Sequence, residues 1–264
     1  MEKFNFKKKF GQNFLKDVRI VSNIAGVAGI TNEDLVIEVG PGKGILTKQL
    51  ATRAKQVLCY EIDLELKEYL ETIQEEYKNV DVIFEDFINR NICSDIKSYE
   101  YKNIYFVSNV PYYITTPILM KLMDSNINFS KIVMMVQKEV GDRFSAKPKT
   151  KEYGSLTVYL NYFYNVKKEF KVGRNEFVPV PNVDSVVVSF TKKDELLHLN
   201  DREFFFKLVR DSFQFKRKNI RNNLSKYNLE VIEEVLEKNN YHLTSRAEEL
   251  PVEIFVEICN ALAK

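Results

Sequence analysis

The chain has 264 residues, 45% of them hydrophobic and 29% charged, which excludes a disordered or fibrous protein and suits one large domain with room for a smaller companion. With 39 basic and 37 acidic residues the formal charge is +2, so net charge alone selects no partner. Three scattered cysteines with no C-x-x-C pair, and only two histidines (His198 and His242), argue against a disulfide framework and against a metal site; no metal is expected. Residues 1–9 are basic, but no apolar core of a signal peptide follows, and no run approaches the roughly 18–20 apolar residues needed to cross a bilayer. A cytoplasmic protein without a membrane partner is the expectation.

In chain order, short β-rich apolar runs occupy Leu35–Val39, 57–62, 80–84, Ile104–Asn109 and 132–136, with two further runs at 156–166 and 185–190. The first five are continuously apolar rather than alternating, as strands of a parallel sheet covered on both faces are. Each gap between them holds one crossover helix. This predicts an α/β, Rossmann-like domain with a mostly parallel seven-stranded sheet, the last two runs pairing antiparallel at one edge. From Asp201 the period becomes helical: Phe205, Leu208, Val209 and Phe213 form one stripe, and Ile254, Phe255, Ile258 and Leu262 another. The polar stretch 191–200 reads as a linker, giving domains at 1–192 and 193–264, the second all-helical.

The first strand runs into Glu38-Val39-Gly40-Pro41-Gly42-Lys43-Gly44 and then a helix. Glycines 40, 42 and 44 permit a tight turn against which a ligand can approach the backbone, beside the unpaired N–H groups of a helix N-terminus. A dinucleotide fingerprint needs glycine where Ile45 stands, and a phosphate-binding Walker loop needs a G-K-[ST] ending that is absent. The remaining E-x-G-x-G-x-G resembles the first motif of S-adenosylmethionine-dependent methyltransferases. Glu61, ending the second strand, can accept both hydroxyl protons of a ribose, with Asp63 as a helix cap. Asp86, after the third strand, can accept from the exocyclic amine of the ligand's adenine.

The fourth strand ends in Asn109-Val110-Pro111-Tyr112. An exocyclic adenine amine is a poor nucleophile because its lone pair is delocalised into the ring. Acceptors for both of its N–H protons hold the nitrogen closer to tetrahedral and free that pair; the Asn109 side-chain oxygen and the Val110 carbonyl fit this role. Pro111 fixes the turn and Tyr112 can stack on the base. No general base is needed, in keeping with the scarcity of histidine. A plain N-x-P-Y β-turn is the bland alternative.

With these motifs, the sequence resembles the ribosomal RNA adenine N6,N6-dimethyltransferases of the KsgA type along nearly its whole length. The resemblance is carried by Lys9-Phe10-Gly11-Gln12-Asn13-Phe14-Leu15, Gln137-Lys138-Glu139-Val140, Lys151-Glu152-Tyr153-Gly154-Ser155-Leu156, Phe177-Val178-Pro179-Val180-Pro181-Asn182-Val183-Asp184-Ser185, Arg221-Asn222-Asn223-Leu224 and Arg246-Ala247-Glu248. It departs from the usual pattern only at Val110, where leucine is common, and at Tyr113. The resemblance implies a donor site of Asn13, Leu15, Gly40, Glu61, Asp86 and Asn109, with Glu38 reaching the donor's amino group. It also implies a target adenine sandwiched by Tyr112 and Phe177. The implied donor is S-adenosyl-L-methionine, leaving S-adenosyl-L-homocysteine. The implied substrate is two adjacent adenosines near the 3′ end of small-subunit ribosomal RNA, in an immature small subunit, and a monomer is expected. Three alternatives stay open: a resistance-type enzyme on large-subunit RNA, a non-catalytic RNA-binding assembly factor, and a nicotinamide dehydrogenase.

Basic residues cluster despite the even balance. Lys3, Lys7, Lys8 and Lys9 open the chain, Arg143, Lys147, Lys149 and Lys151 follow the fifth strand, and Lys216, Arg217, Lys218 and Arg221 lie in the acid-free stretch 213–225. On a helix Arg217, Lys218 and Arg221 share one arc beside an apolar strip of Ile220 and Leu224, which suits a phosphate-tracking surface.

Overall fold

The computed structural model describes residues 13–263, so the opening lysine cluster and the first residues of the Lys9–Leu15 motif lie outside the described residues. The chain divides into two compact units. One comprises the chain up to Gly141 together with Lys167–Thr191; the other comprises Asp142–Val166 together with Lys192 onwards.

In the first unit, β1 (Phe14–Leu15) and α1 (Val18–Ala28) precede the alternating series β2 (Leu35–Val39), α2 (Ile45–Ala51), β3 (Gln56–Tyr60), α3 (Lys67–Glu76), β4 (Val80–Ile83), α4 (Ile92–Asp95), β5 (Ile104–Asn109), α5 (Thr115–Asp124) and β6 (Phe129–Gln137). The chain continues through α6 (Lys138–Phe144), α7 (Ser155–Phe163), β7 (Tyr164–Val172), β8 (Phe177–Val178) and β9 (Ser185–Lys192). The seven-stranded sheet has the order β4-β3-β2-β5-β6-β9-β7, and a separate antiparallel pair joins β1 to β8. The pairs from β4 to β6 are all parallel, whereas β9 runs antiparallel to β6, from Gln137↔Ser185 to Lys131↔Thr191.

All five residues of β2 are buried because the sheet is covered on both faces. Side chains alternate along a strand, so Val36 and Glu38 point to the same side. On that side Val57, Cys59, Val107 and Val133 meet Val21, Ile24, Leu50 and Leu70 of the helices. Glu38 interrupts this apolar layer near the carboxyl end of the strand.

The second unit adds α8 (Arg202–Ser212), α9 (Ile220–Asn223), α10 (Leu229–Lys238) and α11 (Val252–Leu262). Phe205, Leu208 and Val209 of the expected stripe are buried with Ile232, Leu236, Phe255 and Ile258. The Tyr153 hydroxyl donates to the Leu250 carbonyl at 3.0 Å, which satisfies the one polar atom of a buried ring.

Three expectations require correction. The run 156–166 is not a strand: residues through Phe163 form α7, and only its end enters β7. Leu156, Thr157, Val158, Leu160 and Tyr162 of α7 are all buried, and a helix apolar on nearly every side has no period that separates it from a covered strand. The first compact unit is also not continuous to residue 192, because Asp142–Val166, carrying α7, belongs with the C-terminal helices. Finally, 213–225 is not one helix: only Ile220–Asn223 is helical, and the residues before it form turns. No helix among the described residues is long and apolar enough to cross a membrane.

Candidate active site

The connections leaving β2 and β5 turn to opposite sides of the sheet, and neighbouring strands that part in this way leave a crevice at their carboxyl ends. The crevice here has a volume of about 1150 Å³, counted out to open solvent, and its lining includes Asn13, Glu38, Gly40, Glu61, Asp86 and Asn109. Leu15, Gly42, Val110, Pro111 and Tyr112 line it as well. Eleven of the thirteen residues singled out for methyl transfer or donor binding therefore surround one cavity, although their sequence positions run from 13 to 112.

The glycine turn forms its base. Gly40 N–H donates to the Tyr60 carbonyl at 2.8 Å, fastening the end of β2 to β3. Gly42 has φ +62°, and a Cβ there would stand 2.6 Å from the Phe14 ring, so glycine is what lets that ring close one wall. Gly44 is different. It caps α2 at φ +74°, does not line the cavity, and a Cβ on it would lie 2.0 Å from Ile73 Cδ1. Its glycine serves the packing of α2 on α3, which corrects its assignment as a ligand contact.

Two carboxylates lie at the strand ends. Glu61 Oε2 accepts from Gly42 N–H at 3.2 Å and Oε1 from Asp63 N–H at 2.9 Å, so each oxygen is fixed by one backbone bond and retains acceptor capacity towards the cavity. Burial raises its pKa, with the backbone donors opposing. Glu38 accepts from the Thr47 hydroxyl at 2.7 Å and from the Cys59 thiol at 3.6 Å, both on Oε2. Complete burial pushes it up to about 8, so Glu38 holds its proton at neutral pH in the ligand-free chain. Asp86 caps the short helix Phe87–Asn89, accepting from Ile88 N–H at 2.9 Å and from the Asn89 amide at 3.2 Å. Asp63 caps the next turn, as its sequence position suggested.

The Asn109–Tyr112 turn closes the opposite wall. The Ser108 hydroxyl donates to the Val39 carbonyl and ties β5 to β2 at the mouth of the crevice. Asn109 Nδ2 donates to the Asn13 carbonyl at 3.4 Å, which leaves Oδ1 as the acceptor half of that amide. The Tyr112 hydroxyl is 2.6 Å from the Ser185 hydroxyl at the start of β9, and burial raises its pKa, so it is neutral and its ring is held in the cavity wall.

Phe177 is not at the cavity surface. It is 0% exposed, pairs in register with Leu15, and packs in the apolar cluster beneath it. The expected second stacking face is therefore a support for the wall that carries Leu15. Sequence reasoning passed over Ile62 and Tyr113, two largely exposed apolar-faced residues that also line the cavity. Ile62 was hidden by the apolar run 57–62, whose strand ends at Tyr60, so that Ile62 lies past the paired residues at the cavity. Lys147, Lys149, Arg217, Lys218 and Arg221 all fall in the second unit and all are exposed. Lys216 Nζ donates to the Lys151 carbonyl at 2.9 Å, so two of the basic segments adjoin. Arg221 Nη2 lies 4.0 Å from Glu233 Oε1.

A family model described as ribosomal RNA adenine dimethylase matches residues 3–264. The chain belongs to this family. Among its relatives are proteins named ribosomal RNA small subunit methyltransferase A: one from Lactococcus lactis, 42% identical over 98% of this chain and 90% of its own, and one from Macrococcus caseolyticus, 43% identical over 99% and 91%. Among solved structures, the 23S rRNA methyltransferase ErmE superposes with a TM-score of 0.76 at 28% identity, covering 96% of this chain and all of its own. A dimethyladenosine transferase from Plasmodium falciparum gives the same TM-score at 26% identity, over 93% and 95%. As a member of the adenine dimethylase family this chain is a methyltransferase, and the crevice between β2 and β5 is where its geometry concentrates polar groups.

Proposed function

We propose that this chain transfers methyl groups from S-adenosyl-L-methionine to N6 of two adjacent adenosines near the 3′ end of small-subunit ribosomal RNA. The acceptor is the RNA within an immature small subunit, and the enzyme acts as a cytoplasmic monomer. The observation that carries this reading is that the Asn109–Tyr112 turn opens into the same cavity as Gly40, Glu61 and Asp86.

The residues fit such a donor. Gly40 and Gly42 allow close approach to the backbone, Glu61 offers acceptors for ribose hydroxyls, and Asp86 accepts from the adenine amine. Glu38 lies within the same wall and, on giving up its proton, offers a charge to the amino group. When bound, the donor supplies an electrophilic methyl group on a positively charged sulfur. The chain's part is to prepare the nucleophile. Asn109 Oδ1 and the Val110 carbonyl accept from the target amine, drawing its lone pair out of conjugation, while Tyr112 stacks on the base. After the first transfer only one N–H remains, so a single acceptor suffices to orient the second. Phe177 contributes by holding Leu15 in place.

The test is to incubate the protein with labelled donor and either immature small subunits or large-subunit RNA, and to map the labelled nucleotides. Label on two neighbouring adenosines near the small-subunit 3′ end is expected. Label confined to large-subunit RNA would replace this reading with the resistance-type one.

A further inference from the structure

Phe215 stands 57% exposed in the second unit, at the head of Lys216, Arg217 and Lys218. Its neighbour Phe213 shows how an aromatic ring in this segment is ordinarily accommodated: its centroid lies 6.1 Å from that of Tyr153 and 5.8 Å from that of Phe255. Phe215 does not join that cluster. Its backbone is nevertheless anchored. Phe215 N–H donates to Asn223 Oδ1 at 3.1 Å, and Asn223 Nδ2 donates to the carbonyls of Phe215 at 3.3 Å and Lys218 at 3.4 Å. Asn223 is itself 8% exposed, and Lys218 N–H closes the turn onto the Phe215 carbonyl at 2.9 Å. A buried amide thus holds a turn that presents a phenyl ring to solvent.

The surroundings of that ring are cationic. No acidic residue occurs in 213–225, the three residues after Phe215 are all exposed cations, and Lys216 brings in the backbone of the 147–151 segment. Asp211 stands two residues before the segment, where its carboxylate accepts from the Tyr227 hydroxyl at 2.6 Å, and Glu233 lies 4.0 Å from Arg221 at the far end. A ring face among phosphate-seeking cations suits one chemical class: an unpaired nucleobase in a strand whose phosphates flank it.

We propose that Phe215 is a base-stacking contact for a single-stranded nucleotide of the substrate RNA, with Lys216, Arg217 and Lys218 carrying the adjoining phosphates. This rests on the reading of small-subunit RNA as substrate and adds a second point of base contact, on the unit that does not carry the cavity.

Stacking and charge leave different signatures. With purified small-subunit RNA as the probe, Phe215→Ala and Phe215→Leu weaken binding about tenfold and leave the dependence of log affinity on log salt unchanged. Lys218→Gln instead lowers that slope by about one unit. The chain has 14 tyrosines but no tryptophan, so Phe215→Trp introduces a sole indole that can be excited selectively; it binds like the parent, and its emission falls as RNA saturates. Melting temperatures within about 1 °C of the parent are expected for all three Phe215 variants, since the ring is exposed. The proposal is overturned by Phe215→Leu binding as tightly as the parent, or by unchanged emission from Phe215→Trp at saturation. Binding is read here without turnover. A parent protein that binds this RNA but leaves immature small subunits unmethylated ends the proposed function and leaves this assignment standing, while methylation of those subunits together with parent-like RNA binding by Phe215→Ala does the reverse.

Discussion

Glu38 and Glu61 are 1% and 5% exposed at the end of the parallel sheet, and burial raises the pKa of both; Lys216, Arg217 and Lys218 of the second unit stand in solvent. A buried polar group meets few partners, at fixed distances and little screened by salt. Exposed charges lose most of their interaction beyond about 8 Å at physiological ionic strength and act through their number. The cavity is accordingly suited to telling one hydrogen bond from another, and the basic segments to gripping a polyanion whatever its sequence. Removing a single atom should therefore matter most in the first unit, and removing several charges in the second.

Substituting Asn109→Ala tests the first half of that contrast most severely. Loss of an acceptor aimed at the reacting amine should lower the rate of methyl transfer about 100- to 1000-fold, while calorimetry finds RNA affinity unaltered. A variant that retains full transfer removes the acceptor mechanism. The converse is the combined Arg217→Gln, Lys218→Gln, Arg221→Gln variant. Its salt slope for RNA binding should fall by about two to three units, with S-adenosyl-L-homocysteine bound as before; an undiminished slope takes these residues out of the interface. The smallest effect concerns stability. Between its ordinary value of 4.5 and about 8, Glu38 keeps in the folded chain a proton that the unfolded chain has released. Its contribution to stability therefore declines as pH rises across that window and is constant above it. Glu38→Gln removes the decline, so the variant should melt about 3 °C or more above the parent at pH 8.5 and converge with it near pH 5. Parallel melting curves across the whole range would contradict the buried, protonated state of this residue.

What could be read in advance was what is local. Leu35–Val39 and Ile104–Asn109 announce covered strands through non-alternating apolar runs that turn polar only near their carboxyl ends, at Glu38 and at Ser108-Asn109, and the structure has strands with those bounds. The glycine turn, Glu61, Asp86 and the Asn109–Tyr112 turn each follow a strand end directly, so finding the strands located the cavity. Misreadings arose where distant residues decide. Gly44 is glycine because of Ile73, and the turn at 214–218 is held by Asn223 rather than by its own helical propensity. Phe177 sits in a motif that marks it as important, but a motif does not say which way a side chain points; pairing with β1 turns this one inward. The helix Ser155–Phe163 is buried on so many sides that its composition resembles that of a strand.

Tyr112 leans on Ser185, which arrives 73 positions later as the first residue of β9, and β9 is the strand that lies between β6 and β7. During synthesis the Asn109–Tyr112 turn thus waits for the last strand of the described residues before its wall is complete. Until then one edge of β6 is unpaired, with its backbone donors and acceptors open to a neighbouring chain. Ribosome stalling upstream of this point should yield a product that aggregates and has no activity, even though every residue of the glycine turn and of the Asn109–Tyr112 turn has already emerged.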